Sequence, residues 1–256
     1  MAAKPVGKPK PANLEDHTIS GPSAAFSRSI RLLRGPAGQP QRLCLFLDGE
    51  LYWREMKVVP VLQALIERGT LPPTTFAFIS HGSQKAREHD YTCNDQFGGF
   101  ISETVIPWLQ SEIPGLQPGQ HLIGGLSLSG LMSPYLALKY PNHFRCCLSQ
   151  SGSFWWKDEH FTKTAPQFTA AKTRIWLSVG DQETDVDEPA PGSPPEVSQV
   201  VGVKHAHQVL KALGATVHYH EYHGGHSLEC WRDELDEALH WLLGDKTGQS
   251  NTYAQT

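Results

Sequence analysis

Gly125-Leu126-Ser127-Leu128-Ser129 sets a serine hydroxyl between the apolar run HLIGGL (121 to 126) and the helical stretch SLSGLMSPYLALKY (127 to 140). A G-x-S-x-G turn between a strand and a helix is sharp and holds its central side chain above the sheet edge. Ser127 is therefore the candidate nucleophile, and the amides opening the next helix point at any oxyanion formed there. Ser129 occupies the second glycine position; it is small enough for close helix and strand packing, and Gly130 follows at once. Taken alone, the motif also reads as small residues that let a helix start near its neighbour.

A serine hydroxyl is a weak nucleophile at neutral pH and needs a base, which needs a third group to hold its tautomer. In hydrolases built on this turn, the acid and then the histidine follow the serine in chain order, each in a loop beyond a later strand. After ATVHYHEY (215 to 222) comes His223-Gly224-Gly225-His226, where two glycines let the backbone swing His226 back over the sheet. His226 is the expected base and His223 the runner-up. After RIWLSVG (174 to 180) the loop offers Asp181, Glu183, Asp185 and Asp187. Glu183, three residues past the glycine, fits the reach of the acid best, with Asp185 second; most of the cluster otherwise reads as a solvated acidic turn. The oxyanion hole should combine the Leu128 amide with one from the loop after the third strand. Counting back from HLIGGL makes RLCLFLD (42 to 48) that strand, so the turn Asp48-Gly49-Glu50 would present the Glu50 amide.

These residues need a sheet to carry them. Short β-rich apolar runs alternate with stretches of helical period, which predicts an α/β domain with a mostly parallel central sheet and helices on both faces. Strands are expected at 29–35, 42–48, 74–80, 121–126, 145–151, 174–180 and 215–222. Helices are expected at 56–69, 94–110, 127–140 and 197–214, with a last one setting Trp231, Leu235, Ala238, Leu239 and Leu242 on one stripe. Residues 1–25 read as a flexible leader, 26–244 as a single catalytic domain and 245–256 as a flexible tail. The acidic, proline-rich 181–196 segment must be an exposed loop.

Composition removes several function classes. The 256-residue chain carries 22 basic and 26 acidic residues, a formal charge of -4, so it has no broad cationic field for nucleic acid or anionic membranes. It has no apolar core of a secretory signal near the start and no 18-residue apolar run, which predicts a cytoplasmic protein. The five cysteines are an odd set without C-x-x-C spacing, which argues against a disulfide framework or a thiolate zinc site. A metal-dependent hydrolase is the rival suggested by His218 and His220 on one strand face, but His205 and His207 do not face each other on their helix. A hydrolase fold that only binds a ligand is a third reading, prompted by Ser129. The serine chemistry itself calls for no cofactor and no metal.

The segments LFLDGELYW, YTCNDQF, GGLSLSGLMSPYLALKYPNHFRCCLSQSGSFWW and GGHSLECWRDEL together resemble the catalytic domain of enterochelin (enterobactin) esterases and the wider esterase family of α/β-hydrolases. The likeness spans about residues 42 to 243. It implies an α/β-hydrolase fold and a serine carboxylic-ester hydrolase with Ser127 as nucleophile and His226 as base. It also implies a small-molecule ester substrate, in siderophore esterases a catecholoyl-serine ester that is often iron-bound. The chain departs from the family in Ser129 and in having only some 40 residues ahead of the core, where the enterobactin enzymes carry an N-terminal domain. A ferric tris-catecholate is strongly anionic, so Lys85, Arg87, Lys157 and Arg232 are the candidate cations. Trp53, Phe154, Trp155 and Trp156 are expected to line an aromatic cleft, or alternatively to cap the core. Cys93 and Cys230 both fall in family-like segments near the expected site.

Overall fold

Alternation along the central strands builds a core on both sides of one sheet. In β3 (Arg42–Phe46), Leu43 and Leu45 enter one layer while Cys44 and Phe46 enter the other, as the two-residue period of a strand requires. The structure, a computed structural model, describes residues 14–21, 26–186 and 197–244. Ahead of β3 lie β1 (Leu14–Ser20) and β2 (Ser27–Leu33). Beyond it come a helical turn at Leu51–Glu55, α1 (Val59–Arg68), β4 (Thr74–Ile79), α2 (Gln84–Asp90), α3 (Asp95–Phe100), α4 (Ile106–Glu112) and β5 (His121–Leu126). The second half contains α5 (Leu128–Lys139), β6 (Phe144–Gln150), α6 (Trp156–Thr164), β7 (Arg174–Gly180), α7 (Gln199–Ala212), β8 (Thr216–Tyr222), α8 (Leu228–Asp233) and α9 (Leu235–Leu243).

The strand order is β1-β2-β4-β3-β5-β6-β7-β8, with β2 antiparallel to both neighbours and the pairs from β4 to β8 parallel. Residues of α1, α8 and α9 bury against one face, and those of α3, α4, α5 and α7 against the other. After β3 the chain crosses to β4 on one side, and after β5 it crosses to β6 on the other. The order therefore reverses between β3 and β5, and the carboxyl edge at such a point is where α/β sheets form a crevice.

The leader expected over residues 1–25 is corrected by β1, which pairs along its length with β2, from Leu14 opposite Leu33 to Ser20 opposite Ser27. An edge strand has one side to bury, and in LEDHTIS only Ile19 is buried, so its apolar signature is weak. Residues 1–13, 22–25 and the tail 245–256 lie outside the described residues. The helix expected over 94–110 is a succession of α3, a wide turn at Ile101–Val105 and α4. The last helix divides at Glu234 into α8 and α9, although its stripe from Trp231 to Leu242 is buried as expected.

Candidate active site

Ser127 caps α5 with φ 55° and ψ -122°, a conformation that costs a non-glycine residue on the order of 1–3 kcal/mol. Its surroundings hold it there. The Ser127 amide donates to the Gln150 carbonyl (2.9 Å), and its carbonyl accepts from the Leu131 (3.0 Å) and Ser153 (3.1 Å) amides. Ser129, on the first turn of α5, is fully buried. Its hydroxyl accepts from the Leu126 amide (2.9 Å) and lies 2.8 Å from both the Leu126 carbonyl and Asp48 Oδ2.

Glu183 and His226 meet at the carboxyl ends of β7 and β8. Gly180 ends β7 so close to the other loop that a Cβ there would stand 2.2 Å from the Gly224 carbonyl oxygen, and the Gln182 amide donates to that same oxygen at 3.0 Å. Glycine is what lets the two loops touch. Across this seam His226 Nδ1 lies 2.5 Å from Glu183 Oε2. A carboxylate only accepts, so Nδ1 carries the hydrogen, which in a neutral imidazole leaves the Nε2 lone pair free to take a proton. Glu183 is 7% exposed, and its other oxygen accepts from the Ser151 hydroxyl (2.6 Å), the Gly180 amide (2.8 Å) and the Tyr222 hydroxyl (3.1 Å). Burial pushes the Glu183 pKa up, but hydrogen bonds from His226, Ser151 and Gly180 outweigh it and hold the carboxyl below its ordinary value. Trp231 completes the frame, donating from Nε1 to the Ser151 hydroxyl (3.0 Å) and meeting the His226 ring edge-on at 4.7 Å.

Ser127, Glu183 and His226 line one open cleft of about 490 Å³, with Asp185 at its exposed side. Trp155 lines it too, its indole fixed by a 2.5 Å bond from Nε1 to Gln199 Oε1. Sequence reasoning gave no site role to Ser151, Ser153, Gln199 or Tyr222, and read Trp231 only as part of the last helix's apolar stripe. The first two follow β6, between the strands of the serine and the acid, so the ends of neighbouring strands were the available signal.

The counted third strand is β3, and its loop starts beside β5, with the Leu47 amide donating to the Gly124 carbonyl at 2.9 Å. Gly49 is needed for proximity: a Cβ there would lie 2.6 Å from the Phe78 carbonyl carbon. The positive φ, 51°, belongs to Asp48. The Leu128 and Glu50 amides have no acceptor among the described residues. The Glu50 carboxylate bonds Ser80 and the His81 amide and, with Trp53, lines a separate cleft beside β1 and β2.

Several expected substrate contacts are elsewhere. Trp53 carries the Arg31 guanidinium 3.7 Å over its ring. Arg87 is clamped on the Asp48 carboxylate by three contacts of 2.7–2.9 Å. Phe154 is fully buried within the core, and Trp156 caps that core and meets the His160 ring. His223 turns outward to Asp181 (3.0 Å). His218 stacks on Trp176 at 4.1 Å with His220 alongside, His205 pairs with Glu159, and His207 stacks on Tyr219. Among the described residues no three His, Cys, Asp or Glu side chains gather into a metal site. All five cysteines, Cys93 and Cys230 included, are free.

The sheet order, the serine turn between β5 and α5, and acid and histidine loops beyond β7 and β8 define an α/β-hydrolase fold. Residues 25–242 match the model of the family described as "Putative esterase", and the chain belongs to that family. It is 31% identical over 219 residues to the iron(III) enterobactin esterase of Dickeya dadantii (strain 3937), covering 81% of this chain and 48% of that protein. The chain thus spans about half the length of such relatives. The enterobactin esterase of Shigella flexneri, solved in the presence of enterobactin, superposes with a TM-score of 0.77 at 25% identity, over 89% of this chain and 58% of that one. The BES protein of Bacillus cereus shares the fold over 93% of this chain and 98% of its own, with a TM-score of 0.71 at 16% identity. No described helix is long and apolar enough to cross a membrane.

Proposed function

We propose that the chain is a serine carboxylic-ester hydrolase working through an acyl-enzyme, with Ser127, His226 and Glu183 as its triad. The observation that carries this reading is the 2.5 Å bond from His226 Nδ1 to Glu183 Oε2 beside a serine in the backbone strain of a nucleophile turn. His226 Nε2 takes the proton as Ser127 Oγ attacks the ester carbonyl, and the Leu128 and Glu50 amides stabilise the resulting oxyanion. The imidazolium returns its proton to the leaving alcohol. Water, activated by the same ring, then hydrolyses the acyl-enzyme.

The substrate is a small-molecule ester, with Trp155 as the surface on which an aromatic acyl or alcohol group stacks. The names of the relatives support an ester of the siderophore type, and acetyl, feruloyl or polyester substrates are the alternative. The free cysteines support a cytoplasmic setting. Ser127→Ala tests the chemistry on p-nitrophenyl acetate and butyrate. A loss of about 10⁴-fold or more in kcat/KM is expected, and a variant that keeps its turnover ends the proposal.

A further inference from the structure

The Ser127 cleft contains no lysine or arginine among its described lining residues, and it does contain Asp185, exposed at one side, in addition to the ionised Glu183. Its remaining wall is neutral: the Trp155 indole, Val186, Val197 and the Gln182 and Gln199 amides. The cations that the resemblance nominated do not join it. Arg87 is committed to buried Asp48, Arg232 to Asp233, Lys157 stands 5.7 Å over the Trp156 ring, and Lys85 is exposed on α2.

We propose that this site selects esters bearing no negative charge, neutral or cationic, and discriminates against polyanionic ones such as a ferric tris-catecholate. The inference rests on Ser127 being the nucleophile. Its physical content is Coulombic: an anionic substrate approaching Ser127 meets the Asp185 carboxylate at the rim, with Glu183 behind it, and no compensating lysine or arginine among the described lining residues. In a solvated cleft each such encounter lowers kcat/KM by about two- to fivefold, and the effect is screened by salt. A substrate with several negative charges suffers about tenfold or more.

The test uses three chromogenic esters of matched size: p-nitrophenyl valerate, p-nitrophenyl 4-(trimethylammonio)butanoate and the p-nitrophenyl hemiester of glutarate. Their kcat/KM values are compared at about 20 mM and about 0.5 M salt, conditions that change the screening length severalfold, for the wild type and Asp185→Asn. At low salt the hemiester should fall at least about threefold below the valerate, with the cationic ester level with or above it. The gap should narrow in high salt and in Asp185→Asn. A ferric tris-catecholate triester should likewise be cut about tenfold more slowly than its iron-free form. Equal or faster hydrolysis of the hemiester at low salt, or a preference for the ferric triester, overturns the proposal. Labelling of wild type but not Ser127→Ala by a fluorophosphonate separates the two levels. With labelling intact, absent charge discrimination removes only this inference, whereas absent labelling removes the serine mechanism itself.

Discussion

The Ser129 hydroxyl lies 2.8 Å from Asp48 Oδ2, tying the turn that holds Ser127 to the loop after β3 across the point where the strand order reverses. Ser129 thus does more than fill a glycine position. Asp48 is fully buried; burial pushes its pKa up, but the nearby His81 imidazole, 3.0 Å away, and hydrogen bonds from Arg87 and Ser129 hold it below the ordinary value. In the proposed mechanism this bond joins the two loops that carry the Leu128 and Glu50 amides. Ser129→Gly should lower kcat about tenfold on p-nitrophenyl butyrate while KM stays within about twofold, because an oxyanion contact acts in the transition state. An unchanged kcat would leave Ser129 a packing residue only.

Removing the other partner is a stability experiment. Asp48→Ala leaves the Arg87 guanidinium, 12% exposed as a side chain, beside a void without its counter-charge. Breaking a buried pair this way costs about 3–5 kcal/mol. Urea unfolding of the two proteins measures it, and a loss under about 1 kcal/mol would mean that water reaches Arg87 freely.

The two acids weighed from the sequence separate by geometry. Glu183→Gln removes the acceptor that fixes the His226 tautomer and should cost about 10³- to 10⁴-fold in kcat. Asp185→Asn, at an exposed residue with no bond to the imidazole, should cost less than about tenfold on a neutral ester. Steady-state kinetics of the two variants decide between them, and a reversed order would reassign the triad acid.

Stability should respond to pH in two directions. Burial raises the Glu234 pKa to about 7, against partial relief from the Ser178 hydroxyl, Gln150 amide and Trp176 indole. Its folded value exceeds its unfolded one near 4.5, so the folded state holds the extra proton between them. That contribution is full below pH 4.5 and is lost as pH rises through about 7, to the extent of about 3 kcal/mol. Glu183 has the opposite sign: its depressed pKa stabilises the fold above its ordinary value, and this is lost as pH falls through the folded one. Thermal melts from pH 4 to 8 should show Glu234→Gln flattening the decline on the alkaline side. A wild-type slope that survives in Glu234→Gln would place its origin elsewhere.

Much of the scaffold was legible because it follows from periodicity. β5 and β7 have the bounds their apolar runs announced, and the stripe from Trp231 to Leu242 is buried. β1 was not legible, since an edge strand with one buried side chain resembles a polar leader. Trp53, Phe154 and Trp156 looked like one aromatic wall because sequence records side-chain type and not direction; one lines a second cleft, one is interior, and one lies over the core.

Chain order alone determined that a serine turn would be followed by an acidic loop and then by a histidine after a glycine pair, because each must follow a strand ending at the same edge. Only the folded sheet decided that Glu183 rather than Asp185 faces His226, that Arg87 belongs to Asp48, and that the cleft around Ser127 is lined without lysine or arginine among its described residues. The first two depend on directions and distances between residues 39 and 43 apart in the chain, and the third on segments further apart still. Local residue pattern carries no record of such separations until the strands pack.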